Sequence, residues 1–231
     1  MKNIIYIANK QNKRKFLKEI KNESFKSNLI FIVLSGLAIV SKYTSPNKLY
    51  RLFKLLPILL LIFWIAVLGD YQTNLYTRAI LAGLCFSILG DFLLLFPSQF
   101  KSGLFSFLTG HVWYMVGFLS GDWSIPILPT IIIIILVIGM VSQLYPTAGK
   151  LKIPVLVYIT VIAGMGITAF GRLEAFQSTP AMIGAIGATL FMVSDGILGW
   201  NKFKKPFHLA EGIILITYYS GQWMIGCSSI C

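Results

Sequence analysis

Long apolar runs separated by short polar stretches fill the sequence from about residue 28 to the C-terminus. Eight of these runs reach or approach the ~20 residues that a helix needs to cross the hydrocarbon core of a bilayer. They cover residues 28–43, 52–69, 77–96, 103–120, 125–143, 153–170, 181–200 and 208–226. Turn-forming residues lie between them, as at Ser45-Pro46-Asn47 and at Pro146. The pattern predicts an all-α fold, a polytopic membrane bundle of eight transmembrane helices.

Composition narrows the domain organisation. The 231 residues are 56% hydrophobic and 12% charged, with a mean hydropathy of +0.77, which is typical of a polytopic membrane protein. Residues 29–231 therefore form one predicted transmembrane domain, and nothing indicates a second, soluble domain. Residues 1–28 form a basic N-terminal tail with eight Lys/Arg against two Glu, which predicts an amphipathic or disordered segment on anionic lipid.

The distribution of Lys and Arg predicts the orientation of the bundle. Loops two, four and six contain only Arg78 and Arg172, whereas ten basic residues lie in the other loops. These ten, in loops one, three, five and seven, are Lys42, Lys48, Arg51, Lys54, Lys101, Lys150, Lys152, Lys202, Lys204 and Lys205. Since basic residues concentrate in cytoplasmic loops, the odd loops are predicted in the cytoplasm of a bacterium and both termini outside its inner membrane, against the preference of the basic tail. The net charge of +12 is thus explained without a nucleic-acid partner.

Two aspartates, Asp91 and Asp195, lie inside predicted helices three and seven. A carboxylate at membrane depth is costly, so its presence indicates a function or a specific partner. Gly83 precedes Asp91 by eight residues, and Gly187 precedes Asp195 by the same interval, with an offset of 104 between the two pairs. This spacing predicts a 4+4 parallel repeat, with chance resemblance between apolar helices as the alternative.

Helix direction adds a prediction about depth. Predicted helices three and seven run the same way, and each aspartate lies five residues before its predicted helix end, about 7–8 Å along the axis. If these helices are neighbours, Asp91 and Asp195 converge near the odd-loop face. His111 enters from that face on helix four and is expected about 12 Å deep, with Tyr114 close to the same helix face.

These positions define a predicted acid–base site in the cytoplasmic half of the bundle. Asp91 and Asp195 are the candidate catalytic residues. The candidate supporting or substrate-orienting residues are His111, Tyr114, Ser194, Tyr218, Tyr219 and Gln222. Lys54, Lys101 and Lys202 are candidates for binding a head-group phosphate. The alternatives are aspartates that only bridge helices, a proton relay, or, as a minor option, a metal site; no HExxH, CxxC, GxSxG or Walker pattern is present, and Cys85, Cys227 and Cys231 form no spacing motif.

A buried pair of carboxyl groups suits acid–base hydrolysis. One carboxyl group, desolvated and close to the other, keeps its proton, while its partner stays ionised and activates water. Glycosidases use this arrangement around an oxocarbenium-like transition state. An acid-labile ether lipid fits the same chemistry, because a bilayer-resident chain reaches the site and basic loops lie beside it.

Several strings resemble the YhhN-like family of membrane proteins over about residues 29–226. They are residues 84–94, residues 110–114 with His111 and Tyr114, the segment from Gly187 to Asp195, and residues 217–222. Lys54 near Pro57 is similar to the family's Lys-Pro pair, although the two residues are not adjacent here. The family includes lysoplasmalogenases. The resemblance implies a hydrolase that uses water to cleave the vinyl ether bond of a lysophospholipid, either lysoplasmenylethanolamine or lysoplasmenylcholine.

The implied products are a fatty aldehyde and a glycerophospho-head group, and the implied chemistry needs no cofactor. Membrane lipids are the other expected partners, and the oligomeric state is left open. Asp195 is favoured as the acid, because its neighbours Gly196 and Ile197 solvate a charge poorly. The alternative function is a proton-coupled lipid transporter or carrier that uses the same two aspartates.

Overall fold

The computed structural model describes residues 28–44 and 49–230, and all regular secondary structure in these ranges is helical. Eight helices follow one another: α1 (Asn28–Thr44), α2 (Leu49–Leu68), α3 (Leu75–Leu94), α4 (Phe100–Phe118), α5 (Ile127–Leu144), α6 (Lys152–Phe176), α7 (Thr179–Phe203) and α8 (Ala210–Cys227). Short 3-10 turns at Pro97–Gln99 and Gly149–Leu151 lead into α4 and α6. The basic tail predicted for residues 1–28 lies, except for Asn28, outside the described residues.

The observed helices follow the predicted runs closely, and the largest differences are extensions. The predicted run 153–170 continues to Phe176 in α6, where the chain turns at Gln177 with a left-handed φ of 46°. The predicted run 181–200 continues to Phe203 in α7. There the Lys202 ammonium lies 4.5 Å from the centre of the Phe100 ring, and the Phe203 ring packs edge-on against the same ring. These contacts with α4 therefore stabilise the last turn of α7, which contains polar residues.

Because α7 extends beyond its predicted end, the two aspartates lie at different distances from the ends of their helices. Asp91 lies three residues before the end of α3 at Leu94, and Asp195 lies eight residues before the end of α7 at Phe203. The equal distance of five residues predicted for both aspartates is therefore wrong.

Many basic residues assigned to loops lie instead in helices, mostly in their end turns. They are Lys42, Arg51, Lys54, Arg78, Lys101, Lys152, Arg172 and Lys202. All but Lys54 are at least partly exposed, as expected of basic side chains that reach from helix ends toward a membrane surface. Lys54 differs because it is buried in the second turn of α2.

Five helical segments of the described chain are long and apolar enough to cross a membrane: α2, α3, α5, α6 together with its preceding turn, and α7. α1 is shorter. α4 and α8 lack sufficient apolar content because they contain polar side chains, such as His111 on α4 and Gln222 on α8. Those polar residues are buried, so the least apolar helices face the interior of the bundle.

Two helix pairs organise the core: α3 packs along α4, and α7 packs along α8. Glycine makes the second approach possible, since a Cβ at Gly187 would lie 2.8 Å from the backbone nitrogen of Ile225. Small residues commonly allow membrane helices to approach this closely. α4 also packs against α6, and α2 packs against α3 and α8.

α5 lies at the periphery of the bundle. Of the described helices from α2 to α8, it packs only against α6 and α7, and most of its isoleucines are exposed. The backbones of α3 and α7, the two helices that carry the aspartates, lie apart, with no Cα atoms of the two helices within 8 Å of each other. Side chains do reach across, since the Tyr76 hydroxyl of α3 lies close to Gly184 of α7. The close packing of these two helices, on which the predicted carboxylate pair depends, is therefore absent.

Candidate functional site

Asp91 lies in a closed polar cluster at the junction of α2, α3 and α8. The residue is 2% exposed, and its Oδ1 lies 3.3 Å from the Lys54 ammonium. The same ammonium donates to the Asp91 backbone carbonyl at 3.4 Å, and the Tyr218 hydroxyl donates to Oδ2 at 2.6 Å. Both carboxylate oxygens thus have partners, and one of these partners is a buried cation.

Other predicted supporting residues connect the helices around this cluster. The Tyr219 hydroxyl donates to the backbone carbonyl of Lys54 at 2.9 Å, which ties α8 to α2. The Tyr114 hydroxyl donates to Gln222 Oε1 at 2.6 Å, which ties α4 to α8. Ser87 on α3 lies 3.4 Å from the Tyr114 hydroxyl. These contacts stabilise the helix packing beside Asp91.

Asp195 lies in a second cluster, formed by α4, α6 and α7. The Tyr158 hydroxyl donates to Asp195 Oδ2 at 2.6 Å. His111 Nε2 lies 3.5 Å from the same oxygen, and its ring is fully buried. Among the described residues, no Lys or Arg forms an ion pair with Asp195. The two aspartates therefore differ in their nearest charge.

An apolar cavity of about 610 Å³ opens beside Asp195 between α4, α5, α6 and α7. Asp195 and Tyr158 form part of its wall, whereas Asp91 does not line it. Lys202 lies at one end, beside Phe100. The volume falls within the ~300–1,000 Å³ typical of small-molecule sites, which are mostly apolar with a few placed polar groups.

Phe191 separates the two clusters. Its ring centre lies 4.7 Å from that of His111 on one side and 5.3 Å from that of Tyr218 on the other. Each carboxyl group has its own hydrogen-bond partner, Tyr218 for Asp91 and Tyr158 for Asp195. The predicted residues thus assemble into two adjacent sites instead of one.

Ser194 and the three predicted phosphate-binding lysines differ in their surroundings. The Ser194 hydroxyl donates to the Ile214 backbone carbonyl at 3.0 Å and joins α7 to α8. Lys101 is exposed in the first turn of α4. Lys202 lines the cavity, whereas Lys54 is occupied by Asp91. Of the three predicted phosphate-binding lysines, only Lys202 therefore has access to both the cavity and the surface.

Tyr158 is a site residue that the sequence reasoning missed. The signal for it was present in the spacing, since Tyr158 precedes Asp195 by 37 residues and Lys54 precedes Asp91 by 37 residues. Applying the offset of 104 residues to Lys54 would have identified it. Within the part of the chain that the structure describes, no group of three or more His, Cys, Asp or Glu is placed to hold a metal ion.

Comparison with known proteins matches residues 49–229 to the YhhN family. Lysoplasmalogenase TMEM86A from Bos taurus is 31% identical over 198 residues, which cover 81% of this chain and 80% of the relative. Lysoplasmalogenase TMEM86B from Homo sapiens is 29% identical over 188 residues, which cover 78% and 74%. The membrane protein YhhN from Escherichia coli is 28% identical over 210 residues, which cover 86% and 96%.

No solved structure matches the chain. The five long apolar segments, together with the similarity to a membrane protein, identify it as an integral membrane protein. The family match covers more than half of the sequence and includes the strings around Asp91, His111 and Asp195 on which the resemblance was based. The resemblance is thereby confirmed, and the chain belongs to the YhhN family.

Proposed function

We propose that this protein is a hydrolase embedded in the membrane that cleaves the vinyl ether bond of lysoplasmalogens. Its products are a fatty aldehyde and glycerophosphoethanolamine or glycerophosphocholine. The observation that carries the proposal is the position of Asp195, a carboxyl group in the wall of an apolar cavity with a lysine at one end. The relatives named lysoplasmalogenase support the same substrate class.

The proposed reaction begins with proton transfer from Asp195 to the β-carbon of the vinyl ether. The double-bond electrons form the new C–H bond, and the α-carbon becomes an oxocarbenium ion. A neutral acid is favoured here because an isolated carboxylate is costly in apolar surroundings. Tyr158 holds Oδ2 through a hydrogen bond, which leaves Oδ1 as the proton-donating atom.

Water then adds to the oxocarbenium carbon and gives its proton to the Asp195 carboxylate, which restores the acid. The product is a hemiacetal. Its C–O bond to glycerol breaks as its hydroxyl proton moves to the glycerol oxygen, and the aldehyde is released. His111, whose Nε2 lies 3.5 Å from Asp195 Oδ2 but which does not line the cavity, is assigned the positioning of Asp195 instead of the orientation of water or substrate that the sequence predicts. A positioned acid–base group typically contributes about 10²–10⁴-fold to a rate.

Asp91 takes a narrower role in this proposal than the activation of water that the sequence predicts. It lies outside the cavity wall, and its charge is compensated by Lys54. We assign it the positioning of α8 through Tyr218, whose ring packs against Phe191 beside His111. Lys54 is accordingly a counter-ion, and Lys202 is the lysine proposed to meet the phosphate.

The proposal extends to topology, with all eight helices crossing the membrane as two units, α1–α4 and α5–α8. The offset of 104 residues relates Asp91 to Asp195 and Tyr114 to Tyr218, and it pairs Lys54 with Tyr158. The α3–α4 and α7–α8 pairs pack alike, which supports the 4+4 repeat. The positive-inside pattern supports a position of the Lys202 end near the cytoplasmic leaflet of a bacterial inner membrane.

Single cysteines in a cysteine-free background test this topology. Asp122→Cys, between α4 and α5, is expected to react with an impermeant maleimide in intact cells. Ser98→Cys, between α3 and α4, is expected to react only after lysis. The reverse pattern would invert the orientation, and equal labelling of both sites in intact cells would remove the span assigned to α4.

The test of function is aldehyde release from lysoplasmenylethanolamine by the purified protein in detergent micelles. Wild type is expected to release aldehyde in step with the free head group. A proton-coupled carrier would need a sealed bilayer and a gradient. Absence of hydrolysis in micelles, combined with lipid movement in sealed vesicles, would therefore contradict the hydrolase and support the carrier.

A further inference from the structure

The cavity beside Asp195 is elongated along the bundle. On α7 its wall runs from Thr189 to Phe203, and on α5, which runs in the same direction, it runs from Leu128 to Leu144. At ~1.5 Å per residue these stretches are about 21 and 24 Å long. One leaflet contributes about 15 Å of the ~30 Å hydrocarbon core, so the cavity has the length of a lipid tail with part of its head group.

Polarity is distributed unevenly along this length. The Lys202 ammonium lies at one end of the cavity. Asp195 lies about 10 Å further along α7, together with Tyr158 of α6, which is bonded to it. Beyond these two residues the wall is apolar. The exception is Thr189, and its hydroxyl already donates to the Ala185 carbonyl at 2.9 Å. The order is therefore a cation, then an acid, then an apolar stretch.

A lysoplasmalogen presents its groups in the matching order: phosphate, glycerol, vinyl ether and hydrocarbon chain. We propose that the cavity binds this single chain lengthwise, with the phosphate at Lys202, the vinyl ether at Asp195 and the chain end past Thr189. This binding mode rests on the proposed function. In this binding mode, the apolar end of the cavity determines which chain lengths bind.

Two glycines of α7 face α5 at the polar end of the cavity. A Cβ at Gly196 would lie 2.9 Å from Met140 Cε, and a Cβ at Gly199 would lie 2.9 Å from Leu144 Cδ1. Both contacts are between α7 and α5, the peripheral helix. The ends of the Met140 and Leu144 side chains therefore lie opposite these glycines in the cavity wall between Lys202 and Asp195.

The length claim is tested by Thr189→Trp, which narrows the cavity about 9 Å beyond Asp195. Thr160→Trp is the matched control, because Thr160 is also exposed, also bonds its hydroxyl to the carbonyl four residues earlier, and lies outside the cavity. The probes are alkyl-ether lysophosphocholines with an octadecyl or an octyl chain, which the proposed reaction does not cleave. Binding is measured by competition with a fluorescent lysolipid.

Thr189→Trp is expected to weaken binding of the octadecyl probe by about 10-fold or more and to leave the octyl probe within about 3-fold. Thr160→Trp is expected to change neither. Equal behaviour of the two tryptophan variants, or equal loss for both chain lengths, would overturn the proposed binding mode. Because these probes report binding without chemistry, that result is distinct from a wild type that binds them normally and releases no aldehyde from lysoplasmalogen.

The head-group claim is tested by Lys202→Ala against the exposed neighbour control Lys204→Ala. Lys202→Ala is expected to weaken binding of the octyl lysophosphocholine about 10-fold and to leave octyl glycerol, which has no phosphate, unchanged. Lys204→Ala is expected to leave both unchanged. A loss for both lipids in Lys202→Ala, or for neither, would reject the assignment of the phosphate to Lys202.

Discussion

Asp91 and Asp195 occupy corresponding positions 104 residues apart, yet their surroundings differ in one decisive respect. Asp91 faces Lys54 and lies in a closed cluster, whereas Asp195 faces Tyr158 and borders a cavity. Lys54 and Tyr158 also correspond by the offset of 104 residues. The proposed division of roles rests on this difference, because the charge of Asp91 is compensated by a lysine and no lysine or arginine of the described chain pairs with Asp195.

In the proposed assignment, a carboxyl group at membrane depth is not sufficient to identify a catalytic residue. The Lys54–Asp91 pair satisfies both charges internally and leaves neither for a substrate. At Asp195 the Tyr158 hydroxyl satisfies one oxygen without supplying a counter-charge. In the proposed assignment, the pairing partner and access to a cavity distinguish the structural aspartate from the reactive one.

Asp195→Asn is expected to have the largest effect. The amide keeps the shape and still accepts from Tyr158, but it does not act as a proton donor to carbon. Aldehyde release is expected to fall by about 10²–10⁴-fold while the midpoint of thermal unfolding stays near that of wild type. Retention of wild-type activity in a folded Asp195→Asn protein would remove Asp195 from the reaction.

Asp91→Asn is expected to act mainly on stability. It leaves the Lys54 ammonium buried without its counter-charge, a change that typically costs about 3–5 kcal/mol. The expected result is a lower unfolding temperature and reduced yield of folded protein. The double variant Lys54→Met/Asp91→Asn removes both charges and is expected to recover most of that loss; a double variant as unstable as Asp91→Asn would argue against the ion pair as the cause.

Substitution of Tyr158 changes the Asp195 cluster at the position that corresponds to Lys54 in the Asp91 cluster. Tyr158→Phe removes the hydrogen bond to Asp195 and is expected to slow aldehyde release by about 10–100-fold. Tyr158→Lys gives Asp195 the counter-ion that Asp91 has, so it is expected to slow the reaction further, toward the level of Asp195→Asn. Comparison of kcat for the two variants checks this order, and a Lys variant faster than the Phe variant would contradict it.

Ser194→Ala is expected to have the smallest effect, although Ser194 directly precedes the proposed acid. Its hydroxyl bonds to the Ile214 carbonyl and so joins α7 to α8 outside the cavity wall. Loss of one such bond costs about 1 kcal/mol of stability. Thermal unfolding should detect this change while kcat stays near wild type, and a large fall in kcat alone would give Ser194 a part in the chemistry.

Much of the helical order could be predicted from sequence because apolar runs of spanning length are a strong and local signal. The exact helix ends could not, since α7 passes residue 200 through contacts of Lys202 and Phe203 with Phe100 on another helix. The prediction that both aspartates lie five residues before their helix ends was wrong for this reason. Depth within a bundle depends on tertiary contacts that spacing along one chain does not report.

The candidate site was predictable in its members more than in its arrangement. Asp91, Asp195 and His111 are conspicuous because polar groups are costly in apolar helices. Their division between two clusters depends on which helices pack closely. The backbones of α3 and α7 lie apart, while α4 and α8 bring His111 and Tyr218 to different aspartates. Tyr158 escaped notice because a tyrosine in an apolar run is common, although its spacing from Asp195 marked it.

The measurement that tests the central claim most directly is aldehyde release by the folded Lys54→Met/Asp91→Asn double variant, run beside Asp195→Asn in the same micelles. Asp91 and Lys54 form a structural pair in this account, so the double variant is expected to keep activity within about 10-fold of wild type while Asp195→Asn loses about 10²–10⁴-fold. A double variant that folds normally but is as inactive as Asp195→Asn would contradict the division of roles and restore Asp91 as a partner in the reaction.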